Sequence, residues 1–409
     1  MRLRRLIMMR SNDYNVSFNT VGIEHEDYVK VPRDGHFIFQ LVGETGKQVL
    51  PSTVRVKMGG VDITDTAFRI LTNTIEIPSV TGDVVISAEA AVLSSDYEAL
   101  MYIRSIAANK NWSMNTGVYA THLSSFEFDF ICRGGQNTSI LFPNGVNPNV
   151  STVPKPAFFW VAKNATGALY GKVAWGNSQY QGSTIKTLPS SKRLTAVFGK
   201  DVISYDGWSK TINDGTEFTL TSPLMIFQRS DGDLYGFIGD IFRAKHKEDG
   251  TLMHDYIPVK RKSDGYVGLY DVANAQVLRI ASPSYILAPF ISLTRTLTNC
   301  SSTLLSAAIT GTVGRAVIGS RWSIKITPSA NAAFNSDEAS IQLKIGGVDV
   351  TDSDNSDNTP YVAYDSTNDV YTITIVGVPQ ESIELTAVAD AGTANVLNTN
   401  NEPNNEEEI

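Results

Sequence analysis

Cysteine, histidine and positive charge are scarce in this chain, and each scarcity removes a class of function. Two cysteines in 409 residues, Cys132 and Cys300, fall in different predicted domains. They do not suggest the disulfide framework that staples small secreted folds and are expected as small core residues. Five histidines, His25, His36, His122, His246 and His254, show no pairing at metal-ligand spacing; His254, beside Asp255, reads as a structural hydrogen-bonding group. Lys and Arg number 34 against 42 Asp and Glu, a formal net charge of −8. That balance argues against a nucleic-acid binder, whose footprint is a basic patch. No apolar run reaches the ~18 residues of a membrane helix, so no membrane insertion is expected. Residues 1–10 begin like a leader, but Arg10 interrupts the apolar stretch short of the ~7–15 residues a cleavable signal uses. Residues 1–13 read instead as a basic arm, either loose or docking on a partner. A Gly-x-Ser-x-Gly elbow and a Gly-rich phosphate loop are also missing. Helical periodicity is confined to 96–108, which predicts one short connecting helix.

Against these absences stands a phrase written twice. Val54-Arg55-Val56-Lys57-Met58-Gly59-Gly60-Val61-Asp62-Ile63-Thr64-Asp65 returns as Ile341-Gln342-Leu343-Lys344-Ile345-Gly346-Gly347-Val348-Asp349-Val350-Thr351-Asp352. Each copy is followed by further alternating runs, Ile75-Glu76-Ile77 and Val84-Val85-Ile86 in the first, Ile373-Thr374-Ile375 and Ile383-Glu384-Leu385 in the second. A repeat split by so long an unrelated stretch is not a solenoid, whose period is ~20–50 residues. It predicts one small domain present twice, at 14–91 and 291–389, bracketing a different domain at 97–288, with linkers near 91–96 and 288–290. Residues 390–409, polar and acidic, predict a disordered tail.

Strand signals run throughout. In the first module they fall at 15–18, 37–41, 54–58, 74–77 and 84–90, where apolar and polar residues alternate as in half-buried strands. The Gly pairs supply the positive φ angles of a tight hairpin turn, and Asp62 and Thr64 are placed to bond nearby backbone amides. Phe37 and Trp322 open the same strand in the two copies and are expected as core anchors. The outer domains therefore predict small immunoglobulin-type β-sandwiches. The central stretch has strand signals at 126–131, 157–163, 169–175, 193–198, 202–205, 217–221, 224–228, 236–245 and 266–270, separated by turns such as Asp206-Gly207, Asp249-Gly250 and Asp264-Gly265. So many antiparallel strands fit a jelly roll. The fold class read from sequence is all-β, a central jelly-roll sandwich flanked by two immunoglobulin-like sandwiches. A closing hairpin is expected to lay Ile257, Val259, Val267 and Leu269 on the jelly-roll core and leave the turn 260–265 in water.

Two resemblances sharpen this. The Gly-Gly-Val-Asp-Ile-Thr-Asp phrase, with 75–88 behind it, resembles immunoglobulin-like repeats in structural proteins of bacteriophages and prophages of gut bacteria. The central stretch is similar to the concanavalin A-like, laminin-G-like jelly rolls of the same virion proteins. Its matching phrases are Tyr102-Ile103-Arg104-Ser105, Asn115-Thr116-Gly117-Val118, Ile241-Phe242-Arg243-Ala244-Lys245, residues 255–265, and Val267-Gly268-Leu269-Tyr270-Asp271. The resemblance implies a virion surface location, on tail, baseplate or head. Its implied partners are other virion proteins, with a host-surface glycan as ligand, and display in many copies or as a homo-oligomer.

Each candidate for chemistry has a plainer competing role. Retaining glycoside hydrolases need two carboxyl groups ~5–5.5 Å apart, which a Glu-x-Asp-x-Glu or Glu-x-Asp-x-x-Glu strand supplies on one face. Glu127-Phe128-Asp129-Phe130 begins that pattern, but Ile131 and Cys132 stand where the second Glu belongs. Glu127 and Asp129 are therefore expected to face solvent, and no catalytic residue or enzyme activity is assigned. The loop with Asp352, Asp354 and Asp357 has carboxylates for a weak calcium site but lacks the EF-hand Gly and Glu, so no cofactor is expected. Glycan binding needs exposed aromatics with amides and carboxylates beside them. Candidates are Trp112 with Asn115, Trp175 with Asn177 and Tyr180, and Trp208 with Asp206; core packing is the competing role for each Trp. The leading reading is a non-enzymatic, glycan-adhesive virion protein. The alternatives are a purely structural virion component, a glycoside hydrolase, and a bacterial surface adhesin.

Overall fold

The computed structural model describes residues 13–25, 29–105, 114–134, 138–142, 155–163, 169–176, 178–180, 187–188, 192–211, 215–221, 223–226, 237–281, 286–287, 289–306, 314–334, 340–351 and 360–391. Strands dominate, arranged in several sheets, and the chain is all-β. Among the described residues helix is confined to Thr64–Ala67 and a 3-10 turn at Pro51–Thr53. The helix expected at 96–108 is absent as far as residue 105: strands Tyr97–Ala99 and Ile103–Ser105 stand there instead. They pair with the long strands Thr251–Arg261 and Ile238–Glu248, and that ladder outweighs a weak local preference. The chain divides into two compact units, Met1–Pro289 and Phe290–Ile409.

In the first unit, residues 13–91 form two sheets over one core. One sheet runs Val29–Pro32, Asp13–Val21, Val84–Ala91, Arg55–Met58, Val61–Asp62; the other runs Phe37–Gln40, Thr74–Ile77, Phe68–Arg69. The alternation in Val84–Ala91 turns Val84, Ile86, Ala88 and Ala90 inward, where they meet Val54, Val56, Phe37, Ile75 and Ile77. Asp13–Val21 lies parallel to Val84–Ala91, with Val16 opposite Val84.

The second unit repeats this plan. Its sheet runs Arg315–Val317, Phe290–Thr298, Ile383–Val388, Ile341–Ile345, Val348–Asp349. Leu293 lies opposite Ile383 in the same parallel pairing, and Trp322, fully buried, pairs with Ile375 as Phe37 pairs with Ile77. The hairpins of the repeated phrase coincide in detail. Gly59 and Gly60 have φ of 56° and 83°, Gly346 and Gly347 58° and 81°, the left-handed pair that a two-residue turn matched to strand twist requires. Asp62 Oδ1 accepts from Thr64 N at 3.0 Å while Thr64 Oγ1 accepts from Val56 N at 2.8 Å. Asp349 and Thr351 repeat both bonds, to Thr351 N at 3.0 Å and from Leu343 N at 2.9 Å.

The central body is framed by a broad antiparallel sheet. Its strand order is Trp208–Thr211, Val202–Tyr205, Arg193–Gly199, Ser124–Gly134, Ile238–Glu248, Thr251–Arg261, Val267–Asp271, Gln276–Ala281. A second sheet contains Thr138–Phe142, Lys155–Lys163, Leu169–Gly176 and Ser178–Tyr180. Phe126, Phe128 and Phe130 project inward from the first sheet. Trp175 reaches them from the second, its ring 6.5 Å from that of Phe126 and 5.3 Å edge-on to Phe218. The closing hairpin between Thr251–Arg261 and Val267–Asp271 forms as expected, but its four apolar residues do not share a face. Ile257 lies opposite Tyr270 and Val259 opposite Gly268, and Ile257, Val259 and Tyr270 pack with Leu50 and Leu93 of the preceding segment. Leu269 and Val267 point the other way. Both faces of this strand are covered, so all four are buried.

Candidate functional site

The polar side chains that converge most densely lie where the first module meets the central body. The outer face of the first module's sheet presents Arg55 and Glu89. Beneath it, the strand Ser124–Gly134 presents Asp129 and its neighbour Ile238–Glu248 presents Arg243, residues directly opposite each other in register. The charges interlock. Arg55 Nη2 donates to Asp129 Oδ1 at 2.7 Å, and Arg243 holds Glu89 through two bonds of 2.6 and 2.8 Å. Arg243 also clamps Asp255 at 2.7 and 2.6 Å. Burial disfavours the Arg243 charge, but Asp255 and Glu89 override it and raise its pKa; Glu89 is in turn held below the usual carboxylate range by Arg243 against the cost of its own burial. Arg193 completes the junction. It donates to both oxygens of Asp129 and to the carbonyls of Ser52 and Val54, with its guanidinium 3.7 Å over the Phe242 ring.

Asp129 is therefore not the solvent-facing carboxylate expected. Its side chain is 16% exposed and neutralised by two arginines, while Glu127, 38% exposed, sits 3.6 Å from Lys245. Ile131 is buried in the same apolar cluster as Met101, Phe242 and the core of the first module. The face on which a Glu-x-Asp strand would meet substrate is occupied by the first module. Cys132 is buried as expected, whereas Cys300 is only half-buried.

Beside this junction opens a cleft of about 490 Å³, lined by Arg55, Asp62, Ile63, Thr64, Asp65, Thr66, Lys192 and Arg193. The loop after the Gly59-Gly60 hairpin forms one wall and the start of Arg193–Gly199 the other. Burial works against the Asp62 charge, but hydrogen bonds from Thr64 and the nearby Arg55 hold its carboxyl below the ordinary value. Lys192 Nζ reaches Asp206 Oδ1 at 2.7 Å, which ties the cleft rim to the Asp206-Gly207 hairpin. In that hairpin Trp208 lies 5.2 Å from Tyr205 and remains half-exposed.

Among the expected glycan-binding residues, Asp206 thus reaches the cleft rim through Lys192, and Trp208 belongs to the same hairpin. Trp175 is corrected: at 1% exposure it is a core residue whose ring packs against Phe126, Phe198 and Phe218, so it cannot stack on a ligand. Asn115 is exposed, and its Oδ1 accepts from Gly117 N at 2.8 Å within a local turn. Trp112 and Asn177 lie outside the described residues, as does the side chain of Tyr180. Asp352, Asp354 and Asp357 lie outside them too; among the described residues no group of His, Cys, Asp and Glu is placed to hold a metal. His254 makes a structural hydrogen bond, with its Nδ1 2.7 Å from Asp271 Oδ2. The residues sequence reading missed are Arg55, Glu89, Lys192 and Arg193. Their signal in the sequence is charge on half-buried strands, or, for Lys192, just before one.

No protein-family description matches the chain, and no curated protein matches it. Among solved structures, one titled "NanB plus Optactamide" aligns with 11% identity over 67% of this chain and 55% of that chain, with a TM-score of 0.24. The chain thus spans about half the length of that structure, a likeness too distant to carry an argument about fold or function. Among the described residues no helix is long and apolar enough to cross a membrane.

Proposed function

We propose that this chain is a non-enzymatic surface protein of a bacteriophage particle, whose first unit contacts a polar surface glycan in the cleft beside the module junction. The observation that carries this reading is the cleft itself. It gathers threonine hydroxyls, carboxylates and basic groups along about 490 Å³, with Asp206 joined to its rim through Lys192 and the half-exposed Trp208 in the same hairpin as Asp206. An aromatic surface next to fixed polar groups is the arrangement by which shallow sites orient a sugar. The carboxylate that would serve chemistry at the central strand, Asp129, is committed to Arg55 and Arg193. Of the outer modules, read as immunoglobulin-like, the first supplies one wall of the cleft and the second serves as a spacer or attachment piece. The phage assignment rests on the resemblance of the repeated phrase and of the central stretch. A single such site is weak, and display in many copies would raise avidity by ~10²–10⁴.

Glycan-array binding of the full chain tests the proposal, followed by titration of Trp208→Ala against the retained glycan. An aromatic contact worth about 0.5–1.5 kcal/mol predicts roughly two- to twelvefold weaker binding. A second reading is a purely structural virion component that binds only protein. The burial of Trp175 favours it, as does the use of the signature phrases for internal ion pairs: Arg104 with Asp240, Arg243 with Asp255, and Arg261 with Asp264. No glycan retained at any density, with the protein found in purified particles, would establish the second reading over the first.

A further inference from the structure

The two copies of the repeated module share a fold but not a surface, and the difference falls on one sheet face. In the first module that face is an interface: Arg55 and Glu89 project from it onto Asp129 and Arg243. The shared pairing register identifies the counterparts in the second. Ser87 pairs with Arg55 and Thr386 with Gln342, while Val84 and Ile383 hold equivalent places in the parallel pairs. Arg55 thus corresponds to Gln342, and Glu89 to Val388. Gln342 keeps one of the two bonds Arg55 makes. Its Nε2 donates to Asp349 Oδ2 at 2.7 Å, as Arg55 Nη1 donates to Asp62 at 3.1 Å. The second arm, which in Arg55 reaches across to Asp129, has no equivalent in an amide. Val388, where Glu89 would be, leaves an apolar side chain 41% exposed.

Between its edge strands, which carry Arg315 and Asp349, this face is made mainly of threonines. Thr294, Thr296 and Thr298 stand exposed on Phe290–Thr298, next to Thr386 and Val388 on Ile383–Val388, each in register: Thr296 opposite Thr386 and Thr298 opposite Val388. The charged residues that Ile383–Val388 and Ile341–Ile345 carry are Glu384 and Lys344, directly opposite each other across the antiparallel pair. A twofold axis parallel to these strands and midway between them would lay Ile341–Ile345 of one molecule over Ile383–Val388 of another. Lys344 would then face Glu384 of the second molecule twice over, and Gln342 would face Thr386. The face is self-complementary about that axis, as an isologous contact requires.

We infer that the outer face of the second module's sheet is an interface with a second copy of this chain. The equivalent face in the first module is already an interface, so this module type docks through it. Replacing the Arg and Glu by Gln and Val removes the charges that fit Asp129 and Arg243 and leaves a surface that fits itself. The inference is independent of the glycan reading, since the proposed contact lies within residues 290–391.

Sedimentation equilibrium of the full chain over a range of concentrations is the test. The wild type is expected to be a dimer at the upper end. Lys344→Glu, which sets like charges opposite one another, should weaken association roughly tenfold or more, because like-charge juxtaposition across an interface costs far more than a lost rim pair contributes. Lys344→Glu combined with Glu384→Lys should restore it. Val388→Glu, which reinstates the first module's charge on both copies, should also dissociate the dimer, with thermal melts confirming that each variant folds. A monomeric wild type at all concentrations would overturn the inference. So would association of any other stoichiometry, or a dimer indifferent to Lys344→Glu and Val388→Glu.

Discussion

At the scale of single residues, the repeated phrase is legible because each conspicuous position answers a local physical demand. The Gly pair is required by two consecutive positive φ angles, Asp62 and Asp349 by the amide two residues on, and Thr64 and Thr351 by the backbone N–H across the hairpin. Such demands act within a few residues and so can be read in order along the chain. The behaviour of His246 could not be read in this way. It sits in a cross-strand row, Phe198 beside Phe126, Phe126 stacked on His246 at 4.8 Å, and His246 stacked on His254 at 5.6 Å. Its Nε2 lies 3.3 Å from Ser124 Oγ, and its Nδ1 has no partner. Burial, reinforced by the neighbouring His254, depresses its pKa from the ordinary 6.5 to about 4. Because the folded-state value lies below the unfolded one, the unfolded chain binds the extra proton first. Stability is therefore full above pH ~6.5 and falls as the pH drops from 6.5 to 4, by up to about 3 kcal/mol. His246→Phe, which keeps the stack and removes the titration, should flatten that part of a denaturant-unfolding profile. Carboxylates held low, such as Asp62 and Asp271, add their own loss only below pH ~4. A variant whose stability still falls as steeply between pH 6.5 and 4 would show that another group controls this range.

At the scale of elements, alternation revealed where strands run and failed where both faces of a strand are covered. In Val84–Ala91 the buried and half-buried residues alternate without exception, so one face was readable. In Val267–Asp271 every residue is buried, and sequence gives no sign of which apolar side chain serves which neighbour. A sequence reading therefore groups Ile257 and Val259 with Val267 and Leu269, although pairing parity turns the two sets to opposite faces. The strands within 96–105 escape a sequence reading for a related reason: they are short, and the partners that stabilise them lie far along the chain. The energetic expectation for the hairpin survives the change of face. Leu269, fully buried, should cost ~2–5 kcal/mol when cut to Ala. Lys260 is partly exposed and pairs at 2.9 Å with the more exposed Glu98; its truncation should stay within roughly 0–1 kcal/mol, as for surface ion pairs. Thermal melts of the two variants would decide, and equal small losses would mean that the hairpin is not part of the core.

At the scale of the whole molecule, the decisive contacts join residues that nothing in the sequence links. Arg55 and Asp129 are 74 positions apart, Glu89 and Arg243 154. Each belongs to a strand whose alternation was readable, yet the alternation marks these side chains only as polar and outward. Folding brings a second β body against them and makes the outer face of one module the inner face of a junction. The charges then meet as opposites, and Arg193, with its side chain 7% exposed, depends on Asp129 for its counter-charge. Asp129→Ala should therefore destabilise the protein by about 3–5 kcal/mol, the cost of leaving a buried ion without its partner. Glu127→Gln, two residues away on the same face but bound only to Lys245 at the surface, should change stability by less than about 1 kcal/mol. The junction also makes the Asp129 effect spatially specific. Loosening it should expose the segment 92–96, which runs between the first module and the central body, so proteolysis there should accelerate in Asp129→Ala and not in Glu127→Gln. If both substitutions melt alike and leave the cleavage rate unchanged, the Asp129 carboxylate does not hold the two bodies together.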